Sequence, residues 1–317
     1  MEYFSSAWMW IGFSTFLVIA LTVDTVLIGK YRARTVETWR AALFWTLLWI
    51  TCALIFNVLI WIYARSIMDT SSANKLALNF FTAYLIEKSL SLDNLFVFYL
   101  VFQHFHIAHR HQHRVLSYGI WGAVIMRLAI ILAGIWLISQ FHWLLYVMGA
   151  ILVFTGIKIL LMKEKHKDLD EALILKLTKK VFRVTNEIVN EHFFVYKNKL
   201  LYATPLFVAL VFIEFSDLIF AIDSIPAVFA ITQDPFIVWT SNIFAILGLR
   251  AMYFLLARMV EDLRLLKYGI ALILVFVGVK MLIEPWINIP IGMSLGVIAF
   301  IILTFSVLSV RESGIRS

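Results

Sequence analysis

The sequence predicts an all-α, polytopic membrane protein of about nine transmembrane helices. Three observations carry this expectation. Of 317 residues, 62% are hydrophobic and 15% charged, with a mean hydropathy of +0.90, whereas a soluble domain carries about a quarter charged residues. The apolar residues fall in runs near the length of about 20 that a helix needs to cross the hydrocarbon core. The loops between the runs alternate between basic and nearly charge-free. The net charge of +7 sits between apolar runs, so it reads as juxtamembrane charge and not as a nucleic-acid surface.

In chain order the candidate spans are Trp8–Ile28, Ala41–Ile62, Leu78–Phe102, Val115–Ile138, Trp143–Met162, Leu206–Ile231, Phe236–Ala257, Leu265–Ile283 and Ile289–Val310. Met1 to Phe16 holds no Lys or Arg, unlike the basic start of a signal peptide, so the first run reads as a retained helix. Cys52, the one cysteine, lies inside an apolar run and reads as a small packed residue.

The loops test the order. Lys30, Arg32, Arg34 and Arg40 follow span one, against Glu37; Arg110 and Arg114 follow span three. Lys163–Leu200 holds nine basic and six acidic residues. Arg258, Arg264 and Lys267 follow span seven, and Arg311 and Arg316 follow span nine. The intervening loops, 65–77, 139–142, 232–235 and 284–288, are poor in Lys and Arg. Cytoplasmic loops carry the basic excess, so the expected topology is N-terminus outside and C-terminus inside. Within Lys163–Leu200, the residues Leu173, Ile174, Leu177 and Val181 recur at helical spacing beside Lys176, Lys179 and Lys180. That pattern fits an amphipathic helix on the cytoplasmic interface or a solvated linker helix.

An internal repeat organises the spans. Leu152-Val-Phe-Thr-Gly-Ile-Lys158 returns 122 positions later as Leu274-Val-Phe-Val-Gly-Val-Lys280. Ile120-Trp-Gly-Ala-Val-Ile-Met-Arg127 returns after 123 as Ile243-Phe-Ala-Ile-Leu-Gly-Leu-Arg250, and Ile86-Glu-Lys-Ser89 after 127 as Ile213-Glu-Phe-Ser216. Two three-helix units of opposite orientation follow, the arrangement of secondary transporters with a site near the midplane. The expected organisation is two leading helices (1–77), repeat one (78–165), a cytoplasmic loop (166–200), repeat two (201–286), and a last helix with its tail (287–317).

Six of the 20 carboxylates fall inside spans: Asp24, Glu87, Asp93, Glu214, Asp217 and Asp223. Each costs roughly 2.5–3.5 kcal/mol at a helix centre on insertion scales unless paired, coordinated or solvated. Five of the six lie on the first helices of the two repeats. Glu87, Ser91 and Asn94 share a helical face at i, i+4, i+7, and Glu214 and Asp217 share one at i, i+3. Pro226 would free the Ile222 carbonyl and re-aim Asp223. Carboxylates, an amide, hydroxyls such as Ser91 and Ser216, and freed carbonyls suit a hard cation: Mg²⁺, Ca²⁺ or Mn²⁺. The same acids could carry protons. Internal pairing with Arg127, Arg250 and Lys88 is the alternative, but five acids exceed three bases; Arg127 and Arg250 read as counter-ions or gates that fill an empty site. Asp24 reads as a cap, as lining an access route, or as interfacial. The histidines of Gln103–His113 could bind a transition metal or sense pH, although a solvated basic loop is the better reading.

These motifs resemble one family. Glu87-Lys-Ser-Leu-Ser-Leu-Asp-Asn94, Glu214-Phe-Ser-Asp-Leu-Ile-Phe-Ala-Ile-Asp-Ser-Ile-Pro226, Asn190-Glu-His-Phe-Phe-Val195, Tyr202-Ala-Thr-Pro205 and Asp234-Pro-Phe-Ile237 are similar to the TerC family, and to its Alx branch, over almost the whole chain. The resemblance implies a divalent-cation exporter with manganese the favoured substrate, and its acidic positions map onto Glu87, Asp93, Glu214, Asp217 and Asp223. The expected function is therefore Mn²⁺ export across a bacterial inner membrane, with metal exchanged for protons, no prosthetic group and no enzymatic reaction. A non-transporting scaffold in metal or tellurite stress and a Ca²⁺/H⁺ exchanger are the alternatives.

Overall fold

The computed structural model describes residues 6–28, 39–141, 143–161, 182–185, 192–197, 200–257, 265–283, 286–287 and 289–316. Helix α1 (Ala7–Thr22) continues into a π-helical turn, Val23–Ile28, that carries Asp24. Then come α2 (Trp39–Ile67), α3 (Thr70–His104), α4 (His109–Gln140) and α5 (Leu144–Leu161). A hairpin, β1 (Phe194–Lys197) and β2 (Leu200–Ala203), leads into α6 (Pro205–Phe229), α7 (Pro235–Ile246), α8 (Leu249–Leu256), α9 (Leu266–Ile283) and α10 (Ile291–Arg316).

Among the described residues, seven segments are long and apolar enough to cross a membrane, with α7 and α8 counted as one. The two remaining expected spans fall short for separate reasons. Helix α3 is 35 residues long, but the window that would span contains Glu87, Lys88 and Asp93. Helix α9 has an apolar stretch of Tyr268–Ile283, which falls short of the 18 residues of the shortest of the seven.

Local sequence explains where several helices begin. Asp69 caps α3 by accepting from the Ser72 N–H at 2.9 Å; that bond holds its carboxyl below the ordinary carboxylate value. Asp234 caps α7 by accepting from Phe236 and Ile237 N–H groups. Pro205 and Pro235 open α6 and α7, where a missing N–H costs nothing.

The expected seventh span is not one helix. α7 ends at Ile246, Gly248 takes φ +86°, and α8 begins at Leu249. A β-carbon at Gly248 would lie 2.9 Å from the Trp49 ring, so both backbone and space call for glycine here. Pro226 produces no such interruption: α6 runs on to Phe229.

Packing surrounds α7, every residue of which from Phe236 to Ile246 is buried. Phe13, Phe56, Phe80, Phe236 and Phe244 interlock around it, with Phe56 and Phe244 ring centroids 4.9 Å apart. α3 packs on α7 and α4 packs on α6, while α5 and α9 form the most extensive pair. Those two approach backbone to backbone: a β-carbon at Gly278 would meet the Gly149 carbonyl at 2.7 Å, and one at Gly156 the Ala271 carbonyl at 2.6 Å. Lipid-facing surfaces keep their exposed Trp8, Phe44, Ile125, Phe154, Phe300 and Leu303.

Most of the long loop, including the expected amphipathic helix at Leu173–Val181, lies outside the described residues. Its described end forms a strand hairpin, for which the sequence reading held no expectation. The Asn-Glu-His-Phe-Phe motif enters it: Thr204 donates to the His192 carbonyl at 2.8 Å, and Phe193 meets Tyr118 edge-on with Arg114 above its ring.

Candidate metal centre

Four helices bring one charged cluster together at the core: α3 supplies Glu87 and Asn94, α4 Arg127, α6 Asp217 and Ser224, and α7 Asn242. Arg127 is fully buried. Its Nε and Nη2 donate to Asp217 Oδ2 and Oδ1 at 3.1 and 2.9 Å, a bidentate clasp. Nη1 donates to Glu87 Oε1 and, at 3.0 Å, to Asn242 Oδ1. Ser224 Oγ donates to the same Glu87 oxygen at 3.3 Å, and Asn94 Nδ2 donates to Asp217 Oδ1 at 3.3 Å. Two carboxylates share one guanidinium, so the ionised triad keeps a net negative charge in a low-dielectric interior, where one-sided charge is costly.

A cavity of about 50 Å³ opens beside the triad, lined by Glu87, Ser91, Asn94 and Ser224 and closed by Phe220 and Leu274 among its apolar walls. Glu87 Oε2, Ser91 Oγ and Asn94 Oδ1 are buried and lack hydrogen-bond partners among the described residues. Those three residues share the i, i+4, i+7 face of α3, which is why their unpaired oxygens converge. A volume near one or two waters with oxygen donors alone has the dimensions and chemistry for a hard cation.

The other expected residues fall in different places. Glu214 does not join the triad by a bond. Its carboxylate rests on Gly122 of α4, where a β-carbon would overlap it, and its buried Oε2 lacks a described partner. Ser216 turns back and donates to the Phe212 carbonyl of its own helix at 2.8 Å. Asp93 and Asp223 stand on α3 and α6, and their side chains lie outside the described residues. Among the described residues Lys88 pairs with backbone and not with an acid: its Nζ donates to the Ala245 carbonyl at 3.1 Å. Among the described residues, no three His, Cys, Asp or Glu side chains are grouped as a metal site; the cluster brings together two carboxylates, Glu87 and Asp217, with amide and hydroxyl oxygens.

Arg250 serves a second cluster. Its Nη2 donates to the Asp24 carboxylate at 2.7 Å and to the Asp24 carbonyl at 2.8 Å, and its Nη1 donates to Ser117 Oγ at 2.9 Å. Asp24 is thus an ion-pair partner of Arg250. The histidine run begins α4: Arg110 donates to His111, and His113 lies over Phe254 with centroids 4.1 Å apart. Gln112, within that run, bonds both the Ile107 carbonyl and Tyr253.

Sequence reasoning missed Asn242 and Ser224. The signal was a polar run, Thr240-Ser241-Asn242, inside an otherwise apolar span, and a serine one residue past Asp223.

These features define the class: an integral, multi-pass helical membrane protein with an acid–arginine cluster buried between its helices. Residues 72–314 match the Integral membrane protein TerC family, and the chain belongs to that family. A relative from Salmonella typhi is 51% identical over 298 residues, covering 94% of this chain and 92% of its own length. One from Escherichia coli strain K12 is 49% identical with the same coverage. Both bear the name Alx, with a provisional assignment as membrane-bound redox modulators. An uncharacterised membrane protein of Myxococcus xanthus is 43% identical over 92% of this chain and 88% of its own. No solved structure matches the chain significantly.

Proposed function

We propose that this chain exports hard divalent cations, manganese foremost, across the bacterial inner membrane in exchange for protons. The observation that carries the reading is the surplus of buried carboxylate over base beside a small all-oxygen cavity. An ion entering there meets Glu87 Oε2, Ser91 and Asn94 directly. It competes with the Arg127 guanidinium for Glu87 Oε1 and Asp217, so Arg127 is the cation of the empty state and yields to the cargo. Protons reaching the same carboxylates would displace the ion, which couples the two fluxes. Asp93, Glu214 and Asp223 are reserve ligands along the same two helices.

Nine crossings suit this reading: the seven apolar segments, α3 with its functional charges, and short α9. Inverted three-helix repeats are supported by the reciprocal packing of α3 on α7 and α4 on α6, and by α5 meeting α9. The broken α7–α8 span belongs to the same pattern, since interrupted helices line midplane sites. Basic loops place the N-terminus outside and the C-terminus inside. We assign no enzymatic reaction. The redox description of the relatives is compatible, because manganese is itself redox-active, while this chain's one cysteine cannot form an internal disulfide.

Cells carrying Glu87→Gln or Asp217→Asn should accumulate manganese under metal overload, as read by elemental analysis at matched protein levels. Unchanged manganese in both variants would sink the proposal. Calcium accumulation instead of manganese would move the reading to a Ca²⁺/H⁺ exchanger.

A further inference from the structure

The break between α7 and α8 has a chemistry of its own. In an unbroken helix the Ala245 carbonyl would accept from the Leu249 N–H and the Leu247 carbonyl from the Ala251 N–H. Leu247 instead leaves the helix at ψ 127°, Gly248 takes φ +86°, and the first bond of the new helix runs from Met252 to the Gly248 carbonyl. Two carbonyls are thereby left at the C-terminal, negative end of a twelve-residue buried helix. Lys88, reaching across from α3, meets both: its Nζ donates to Ala245 O at 3.1 Å and stands 3.5 Å from Leu247 O.

Stripped carbonyls at a helix break are the groups with which membrane transporters coordinate monovalent cations. A divalent ion would call for carboxylate there, whereas the described side-chain partner of these carbonyls is the Lys88 amine. A neutral donor would satisfy the two oxygens equally well, yet the chain places the amino end of a lysine on them, one residue along α3 from Glu87. We propose that the α7–α8 break is a monovalent-cation site, of the kind that takes K⁺, Na⁺ or a small primary ammonium, and that Lys88 fills it as a tethered occupant. Tethering makes the shape of the break independent of the surrounding Na⁺ and K⁺. Glu87 and Lys88 then divide α3 between two tasks, cargo on one face and the break on the next. This inference is independent of metal export, and thermal stability reads it without any flux.

The test compares purified wild-type protein with Lys88→Ala, in choline chloride against KCl, NaCl and methylammonium chloride at equal ionic strength. Wild-type Tm should be the same in all four. Lys88→Ala, with the stem gone and space for an ion, should melt on the order of 5 °C lower in choline and recover saturably with K⁺, Na⁺ or methylammonium. Lys88→Met, whose neutral stem fills the space, should melt low and not recover. Equal Tm of Lys88→Ala in choline and in the three small cations would overturn the proposal. So would failure of Lys88→Ala to accumulate in K⁺-rich cells, where the ion should replace the missing ammonium.

Discussion

Arg127 and Arg250 occupy corresponding positions in the two repeated segments, yet they hold different company. Arg127 is enclosed by Glu87, Asp217 and Asn242, two carboxylates for one cation, beside a cavity. Among the described residues Arg250 holds one carboxylate, Asp24, together with Ser117, one charge of each sign. The unbalanced cluster has room and charge for a further cation. The balanced one instead ties the end of the first helix to the start of α8. Arginines at corresponding sequence positions thus sit in an acid-rich cluster beside a cavity in one case and in a helix-to-helix latch in the other.

Removing one member of each ion pair should separate these roles. Arg127→Met leaves Glu87 and Asp217 buried without their base, which costs about 3–5 kcal/mol; it should give the largest loss of thermal stability, partly restored by added Mn²⁺ because the ion takes the vacated place. No response to Mn²⁺ would mean that the acids do not bind it. Asp24→Asn should cost about 2 kcal/mol through the lost charged hydrogen bond without altering Mn²⁺ affinity, measured by titration calorimetry. A large fall in that affinity would place Asp24 in the binding site.

Gly248→Ala probes the backbone just before the latch. A side chain at φ +86° beside Trp49 should cost about 1–2 kcal/mol and loosen Arg250 first, seen as faster amide exchange in α8 than in α4. The smallest effect belongs to Asp69, which touches neither cluster. Its carboxyl titrates below the ordinary value, so its contribution is present above the ordinary carboxylate range and fades as pH falls through the depressed value. Asp69→Ala should therefore fray the start of α3 near neutrality and make no difference in strong acid, by amide exchange.

The membrane class, the helix order and the acids of α3 were legible in the sequence because hydropathy and helical spacing are local properties. Glu87, Ser91 and Asn94 were rightly read as one face. Less was legible where partners came from distant helices. Nothing local tells that Arg127 would take Asp217 while Arg250 takes Asp24, or that Lys88 would reach backbone and not acid. The split of the seventh span was hidden for a related reason. Gly248 sits in an apolar run whose hydropathy does not change, and the need for it comes from Trp49 on another helix. Strands in the long loop escaped notice because the charged residues before them gave a helical period.

The most direct test of the central claim is flux into liposomes holding the purified protein and a metal-sensitive dye. With an outward proton gradient imposed, the wild type should carry Mn²⁺ inward faster than without one, and Glu87→Gln should carry little under either condition. Mn²⁺ flux by the wild type no greater than in empty liposomes, or equal flux by Glu87→Gln, would contradict the account.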